Sequence, residues 1–138
     1  TIPSGQSVEK TISLIRAQDG LINIPHPFDM FRHSALDSRV IEEIAEEIDV
    51  VEVLNARCLL QKNIDKAQIF AEKYSIPQSA GSDAHTLSEI GNAYVEMPEF
   101  NGRDDFLDAL QKGRISGHRT GPLIHFNSLW ARLRSNNK

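Results

Sequence analysis

Apolar residues recur along this chain at two spacings that alternate. Val8, Ile12 and Ile15, with Leu14 beside them, fall three and four apart, the period of a helix face, and Gly20 stops the run. Leu21-Ile22-Asn23-Ile24 then reads as a short buried strand, ended by Pro25-His26-Pro27. Proline on both sides of His26 forbids helix there and requires an extended or turning backbone. Val40, Ile41, Ile44, Ala45 and Ile48 make one apolar helix face, while Glu42, Glu43, Glu46 and Glu47 form its solvated side. Val50-Val51-Glu52-Val53-Leu54 is a second strand, closed by Asn55-Ala56-Arg57. Asn63 is the expected cap of a helix carrying Ile64, Ala67, Phe70, Ala71 and Tyr74. After Pro77 comes a short strand, Gln78-Ser79-Ala80, and Ala93-Tyr94-Val95-Glu96-Met97 is a last one, stopped by Pro98. Phe106, Leu107 and Leu110 mark a further helix ended by Gly113, and the tail from Pro122 to about Arg134 is expected to be helical.

The first three strands begin near 21, 50 and 77, the spacing of a βα unit, and this alternation implies an α/β domain with a mainly parallel sheet. No sequence repeat accompanies the period, which excludes a solenoid. With 138 residues the chain is expected to be one domain with a real core, βα units to about residue 100 and a helical tail over 101–138. The absence of an initiator Met at Thr1 suggests a piece of a longer protein or a processed one.

Composition narrows the function classes modestly. Apolar residues at 40% and charged residues at 25% are ordinary for a globular protein, and a net charge of −4 argues against a nucleic-acid surface. Arg132, Arg134 and Lys138 form only a short basic tail, which a solvated helix end explains as well. No apolar run approaches the roughly 18 residues of a membrane span. The single Cys58 cannot pair within the chain, which fits a cytoplasmic setting, and it is expected to be a small packed residue.

Candidate chemistry centres on Ala80-Gly81-Ser82-Asp83-Ala84-His85-Thr86. An Asp and a His two residues apart point the same way if the segment is extended, and that pair suits Zn²⁺, Mn²⁺ or Fe²⁺. The simpler alternative is Asp83 capping a turn with His85 beside it. Position favours the metal reading. His26 falls just past the first strand, Asn55 and Arg57 just past the second, and Asp83 and His85 just past the third. In parallel α/β folds sites are built at that edge.

Ile24-Pro25-His26-Pro27-Phe28, Val51-Glu52-Val53-Leu54-Asn55-Ala56-Arg57 and the Asp-x-His segment, in that order, resemble the C-terminal half of the polymerase and histidinol phosphatase (PHP) family. The likeness is strongest to metal-dependent phosphoesterases with a PHP-associated C-terminal segment. Gly117-His118-Arg119 through His125 is similar to the tail of such proteins. The resemblance implies part of a distorted seven-stranded βα barrel, with His26, Asp83 and His85 as metal ligands. Asn55 and Arg57 would either support the ligands from behind or face substrate, Arg57 holding a phosphate through its planar fork. A surface arginine paired with a carboxylate is the alternative. The implied chemistry is hydrolysis of a nucleotide, an oligonucleotide end or a small phosphate monoester by metal-activated water.

The chain lacks the His-x-His pair with which such enzymes open. Three ligands hold one ion at most, so the 138 residues alone are expected to be poor catalysts, to need a missing N-terminal half or a second copy, and to have no membrane partner. The rival expectation is a non-catalytic α/β interaction or regulatory module with a degenerate metal site. His33 is expected at the surface, His118 in a solvated basic turn and His125 packed.

Overall fold

The structure, a computed structural model, describes residues 1–29 and 36–120. Helix α1 (Val8–Arg16) begins where the Ser7 side chain accepts the backbone N–H of Lys10 at 3.2 Å, and its Val8, Ile12 and Ile15 lean on the core. Strand β1 is short (Asn23–Ile24). The helix expected through Ile48 divides into α2 (Ser38–Glu43) and a 3-10 turn, Ala45–Glu47. The break falls at Ile44 (φ −99°, ψ 11°). The tighter turn aligns Ala45 with Ile48 three residues on, so both stay in the core as the chain enters the next strand. Glu42, Glu43, Glu46 and Glu47 are all exposed.

Strand β2 (Val50–Asn55) is the centre of a three-stranded parallel sheet in the order β1-β2-β3, where β3 is Gln78–Gly81. Ile24 pairs with Val51, and Asn55 with Gly81, with an irregularity between Glu52 and Leu54. Val51 and Val53 are fully buried in a cluster with Ile22, Ile24 and Ile41 and with Ala67, Phe70 and Ala71 of helix α3 (Gln61–Lys73). The edge-on ring pair Phe28–Phe70 closes that cluster. By strand alternation Glu52 and Leu54 face the other way, half-buried.

Helix α3 starts two residues before the expected cap. Leu60, in extended conformation, takes the cap position without a side-chain bond, which places Asn63 inside the first turn, buried. Beyond β3, strand β4 (Ala93–Glu96), helix α4 (Arg103–Gln111) and strand β5 (Arg114–Gly117) form a separate antiparallel pair with a helical crossover. Strand β5 was not expected, because Arg-Ile-Ser-Gly carries one apolar residue and no alternation. Gly117 makes the pairing possible. Its φ is +134°, and a Cβ there would strike the backbone of Asn92 and Ala93. Among the described residues the strands do not close into a barrel. The tail helix expected over 122–134 lies outside the described residues, as do His33 and His125.

At the opposite end of the sheet, Asp49 fastens α1. Its carboxylate receives both arms of the Arg16 guanidinium (2.6 and 3.1 Å) and the backbone N–H of Ile22 (2.6 Å). Charge-assisted bonds of this kind contribute about 1.5–3 kcal/mol. Asp49→Ala should therefore lower the unfolding free energy in urea by about 2–3 kcal/mol. Arg16→Ala should cost less, since the Ile22 bond survives it. Equal and negligible losses would show that the anchor carries no stability.

Candidate functional site

Three strand ends deliver their polar residues to the C-terminal edge of the parallel sheet. His26 lies two residues past β1, Asn55 ends β2 with Arg57 two beyond, and Asp83 and His85 follow β3. The prolines on either side of His26 fix it in a turn, with φ at +34°. A non-glycine residue in that region stores strain on the order of 1–3 kcal/mol and persists only where its surroundings hold it. What holds His26 is a hydrogen bond from its own N–H to Glu52 Oε2 at 2.9 Å. The ring's Nδ1 is buried and has no hydrogen-bond partner among the described residues.

Asp83 also has a left-handed backbone, φ +50°. The Asp-x-His segment is thus turned rather than extended, and strand alternation is not what brings the two side chains together. The turn directs the Asp83 carbonyl at its neighbour, so that His85 Nδ1 lies 2.8 Å from that oxygen and 3.9 Å from Asp83 Oδ1. A carbonyl only accepts, which puts the proton on Nδ1 and leaves the Nε2 lone pair to point elsewhere. Ser82 pins the start of the loop to the β4 side, donating to Ala93 O (3.1 Å) and accepting from Gly91 N (3.0 Å).

Asn55 and Arg57 lie behind these residues rather than at the surface. Asn55 is 3% exposed, donates from Nδ2 to Glu52 Oε2 (3.0 Å), and accepts the Arg57 N–H on Oδ1 (3.0 Å). The Arg57 side chain is 5% exposed and its Nη1 meets Glu89 Oε2 at 2.7 Å. Glu89, 1% exposed, accepts in addition the His85 N–H (3.0 Å) on that oxygen and the Thr86 hydroxyl (3.0 Å) on the other. Burial acts most strongly on Glu89 and pushes its carboxyl up. The bonds from His85, Arg57 and Thr86 outweigh it and hold the group below the ordinary carboxylate value. For Glu52, burial wins and the carboxyl is pushed up, with the Asn55 and His26 bonds and the His26 ring opposing and Asp83 adding to the rise. Glu52 is thus near enough to both His26 and Asp83 to feel each charge. Gly81 leaves room for it, because a Cβ there would collide with Glu52 Oε1.

Glu52 and Glu89 carry this geometry, yet neither stood out as a site residue in the sequence. A carboxylate amid Val50-Val51 and Val53-Leu54 was one available signal. Thr86-x-x-Glu89 was another, having the spacing of a capping box. His118 and Arg119 are exposed, and Arg119 Nη1 is bonded to the Leu59 carbonyl at 2.9 Å. Cys58 is buried, and burial pushes its thiol up. The recess behind His26, lined by Phe28, Glu52, Asn55 and Asn63 among others, has room for about one water, too little for a substrate.

Residues 62–115 match the family described as PHP-associated. This stretch is a PHP-family C-terminal segment. It contains Asp83, His85 and Glu89, while His26, Glu52 and Arg57 precede it. The chain is 40% identical over 104 residues to an uncharacterized protein of Methanocaldococcus jannaschii, a match covering 72% of this chain and 44% of that protein. PsfC from Pseudomonas syringae PB-5123 shares the fold at 18% identity, with a TM-score of 0.65 over 96% of this chain and 54% of its own. The chain thus spans about half the length of each of these two relatives.

The donor chemistry fits one side of a divalent-metal site. The PHP segment supplies Asp83 with His85, whose Nδ1 is already satisfied by a carbonyl as metal-binding histidines usually are. His26 adds a buried ring nitrogen that has no partner among the described residues. A group of three metal-ligating side chains converging on one point is not found among the described residues. Breaking the buried pair tests the architecture itself. Glu89→Ala removes the buried carboxylate that Arg57, the His85 N–H and the Thr86 hydroxyl all meet, and should cost about 3–5 kcal/mol in denaturant unfolding. The pair change Arg57→Met with Glu89→Leu should recover most of that loss. A Glu89→Ala variant as stable as the parent would show the ion pair to be incidental.

Proposed function

We propose that the chain is the C-terminal portion of a metal-dependent phosphoesterase and contributes His26, Asp83 and His85 to a site completed by residues outside it. The observation that carries this reading is the Asp83–His85 geometry. A carboxylate and an imidazole with a fixed Nδ1–H stand together at the C-terminal edge of a parallel sheet, within a PHP-associated segment. The sheet would be part of the family's distorted βα barrel, with residues 1–138 as one unit.

In this reading His26, Asp83 and His85 hold an ion of Mn, Zn or Fe. When bound, it supplies Lewis acidity towards water and towards the phosphoryl oxygens of a nucleotide, an oligonucleotide end or a small phosphate monoester. The chain's own residues set the ligands in place. Asp83 balances the ion's charge, and the His85 ring offers Nε2 because its other nitrogen is committed. Asn55 and Arg57 were expected either to support the ligands or to face substrate, and their burial favours support. The exposed side chains of Leu87 (88%), Ile90 (67%) and Tyr94 (43%) flank the Asp-x-His loop and β4. They suit a surface covered by the N-terminal part of the longer protein. That part would bring the remaining ligands.

Elemental analysis after purification without chelator separates this reading from a non-catalytic interaction module. About one equivalent of Mn, Fe or Zn should accompany the chain. Asp83→Ala should remove the metal with little loss of fold. Neither protein carrying metal, together with a destabilised Asp83→Ala, would favour the structural module.

A further inference from the structure

We propose that Glu52 and Glu89 are positioning residues, one for each histidine, joined into a single polar chain by Asn55 and Arg57. The proposal rests on the reading of His26, Asp83 and His85 as ion-holding groups and says how they are kept in register. The chain of bonds is continuous. The His26 N–H donates to Glu52 Oε2 (2.9 Å), which also receives Asn55 Nδ2 (3.0 Å). Asn55 Oδ1 receives the Arg57 N–H (3.0 Å), and Arg57 Nη1 reaches Glu89 Oε2 (2.7 Å). That oxygen then accepts the His85 N–H (3.0 Å). The path begins on the backbone of one histidine and ends on the backbone of the other.

Placement argues against a purely structural role. A buried ion pair is roughly neutral in stability compared with apolar residues of the same volume, so folding alone gives little reason to keep one here. Both carboxylates finish on the N–H of a histidine at a strand end. His26 has a left-handed backbone, and His85 is fixed by the left-handed residue two positions before it. Such bends need outside support, and these two bonds provide it. At His85 the consequence reaches the ring. Once Glu89 fixes the backbone, Nδ1 faces the Asp83 carbonyl and the ring is held in the Nδ1–H form, opposite to the form a free histidine side chain prefers.

The test uses two double variants of the chain that remove the same buried charges. Arg57→Met with Glu89→Gln keeps a carbonyl oxygen to accept the His85 N–H. Arg57→Met with Glu89→Leu keeps none. The ¹⁵N spectrum of the His85 ring should show Nδ1–H in the parent and the Gln variant. In the Leu variant it should shift towards Nε2–H while thermal unfolding shows the protein still folded. Affinity for added Co²⁺ should fall roughly 10–100-fold in the Leu variant and be largely kept in the Gln variant. Glu52→Gln against Glu52→Leu repeats the contrast at His26, read from its amide proton shift. Unchanged His85 tautomer and Co²⁺ affinity in the Arg57→Met, Glu89→Leu protein would overturn the proposal, as would a parent His85 in the Nε2–H form. A parent that binds no Co²⁺ would defeat the metal reading, while the tautomer comparison would still decide the positioning one.

Discussion

The Arg57–Glu89 ion pair is sealed from water at both ends, and the arrangement of the sheet edge depends on that. A charge pair at 2.7 Å in the interior is not a large net source of stability, because desolvation takes back most of the attraction. What it does is make intermediate positions costly. Moving either partner outward breaks a buried 2.7 Å contact, so the end of β2 and the turn after β3 are tied to each other. Thr120 reinforces the same spot, its N–H and hydroxyl both bonding the Ala56 carbonyl, at 2.7 and 2.9 Å. The loop carrying Asp83 and His85 is therefore held to β2 by side chains as well as by the ladder.

From that lock the remaining geometry unfolds in order. Parallel pairing puts the three strand ends at one edge, and the irregular register between Glu52 and Leu54 brings Asn55 level with Gly81. The missing side chain at Gly81 lets the Glu52 carboxylate stand beside it and accept the His26 N–H. Asn55 then joins the Glu52 carboxylate to the backbone of Arg57. The far end of the sheet is fastened independently by Arg16 and Asp49, so disturbance at one edge need not loosen the other.

Much of this was legible in the sequence, for physical reasons. The βα alternation is written in hydrophobic period, and the strand ends are marked by Pro25, Asn55 and the Gly81-Ser82 pair, which is why His26, Asp83 and His85 fell where expected. Less legible were features set by tertiary contact. Strand β5 pairs because Gly117 fits against Asn92, not because Arg-Ile-Ser-Gly has any preference for a sheet. The cap of α3 shifted because an extended Leu60 starts the helix, which turns Asn63 inward. The left-handed turn at Asp83 replaced the extended geometry, and the two carboxylates that steady the histidines looked like an interrupted strand and an ordinary loop residue. A single sequence shows which groups are polar; it does not show which pairs close over each other.

The central proposal is that His26, Asp83 and His85 contribute to one divalent-ion site completed by residues outside the chain, and paramagnetic broadening by Mn²⁺ in the ¹⁵N-labelled chain tests it most directly. Substoichiometric Mn²⁺ should erase the amide signals around 26, 52 and 82–86 first and leave those of the Glu42–Glu47 acidic face intact. Broadening centred on that acidic face, or spread evenly over the surface carboxylates, would contradict the account.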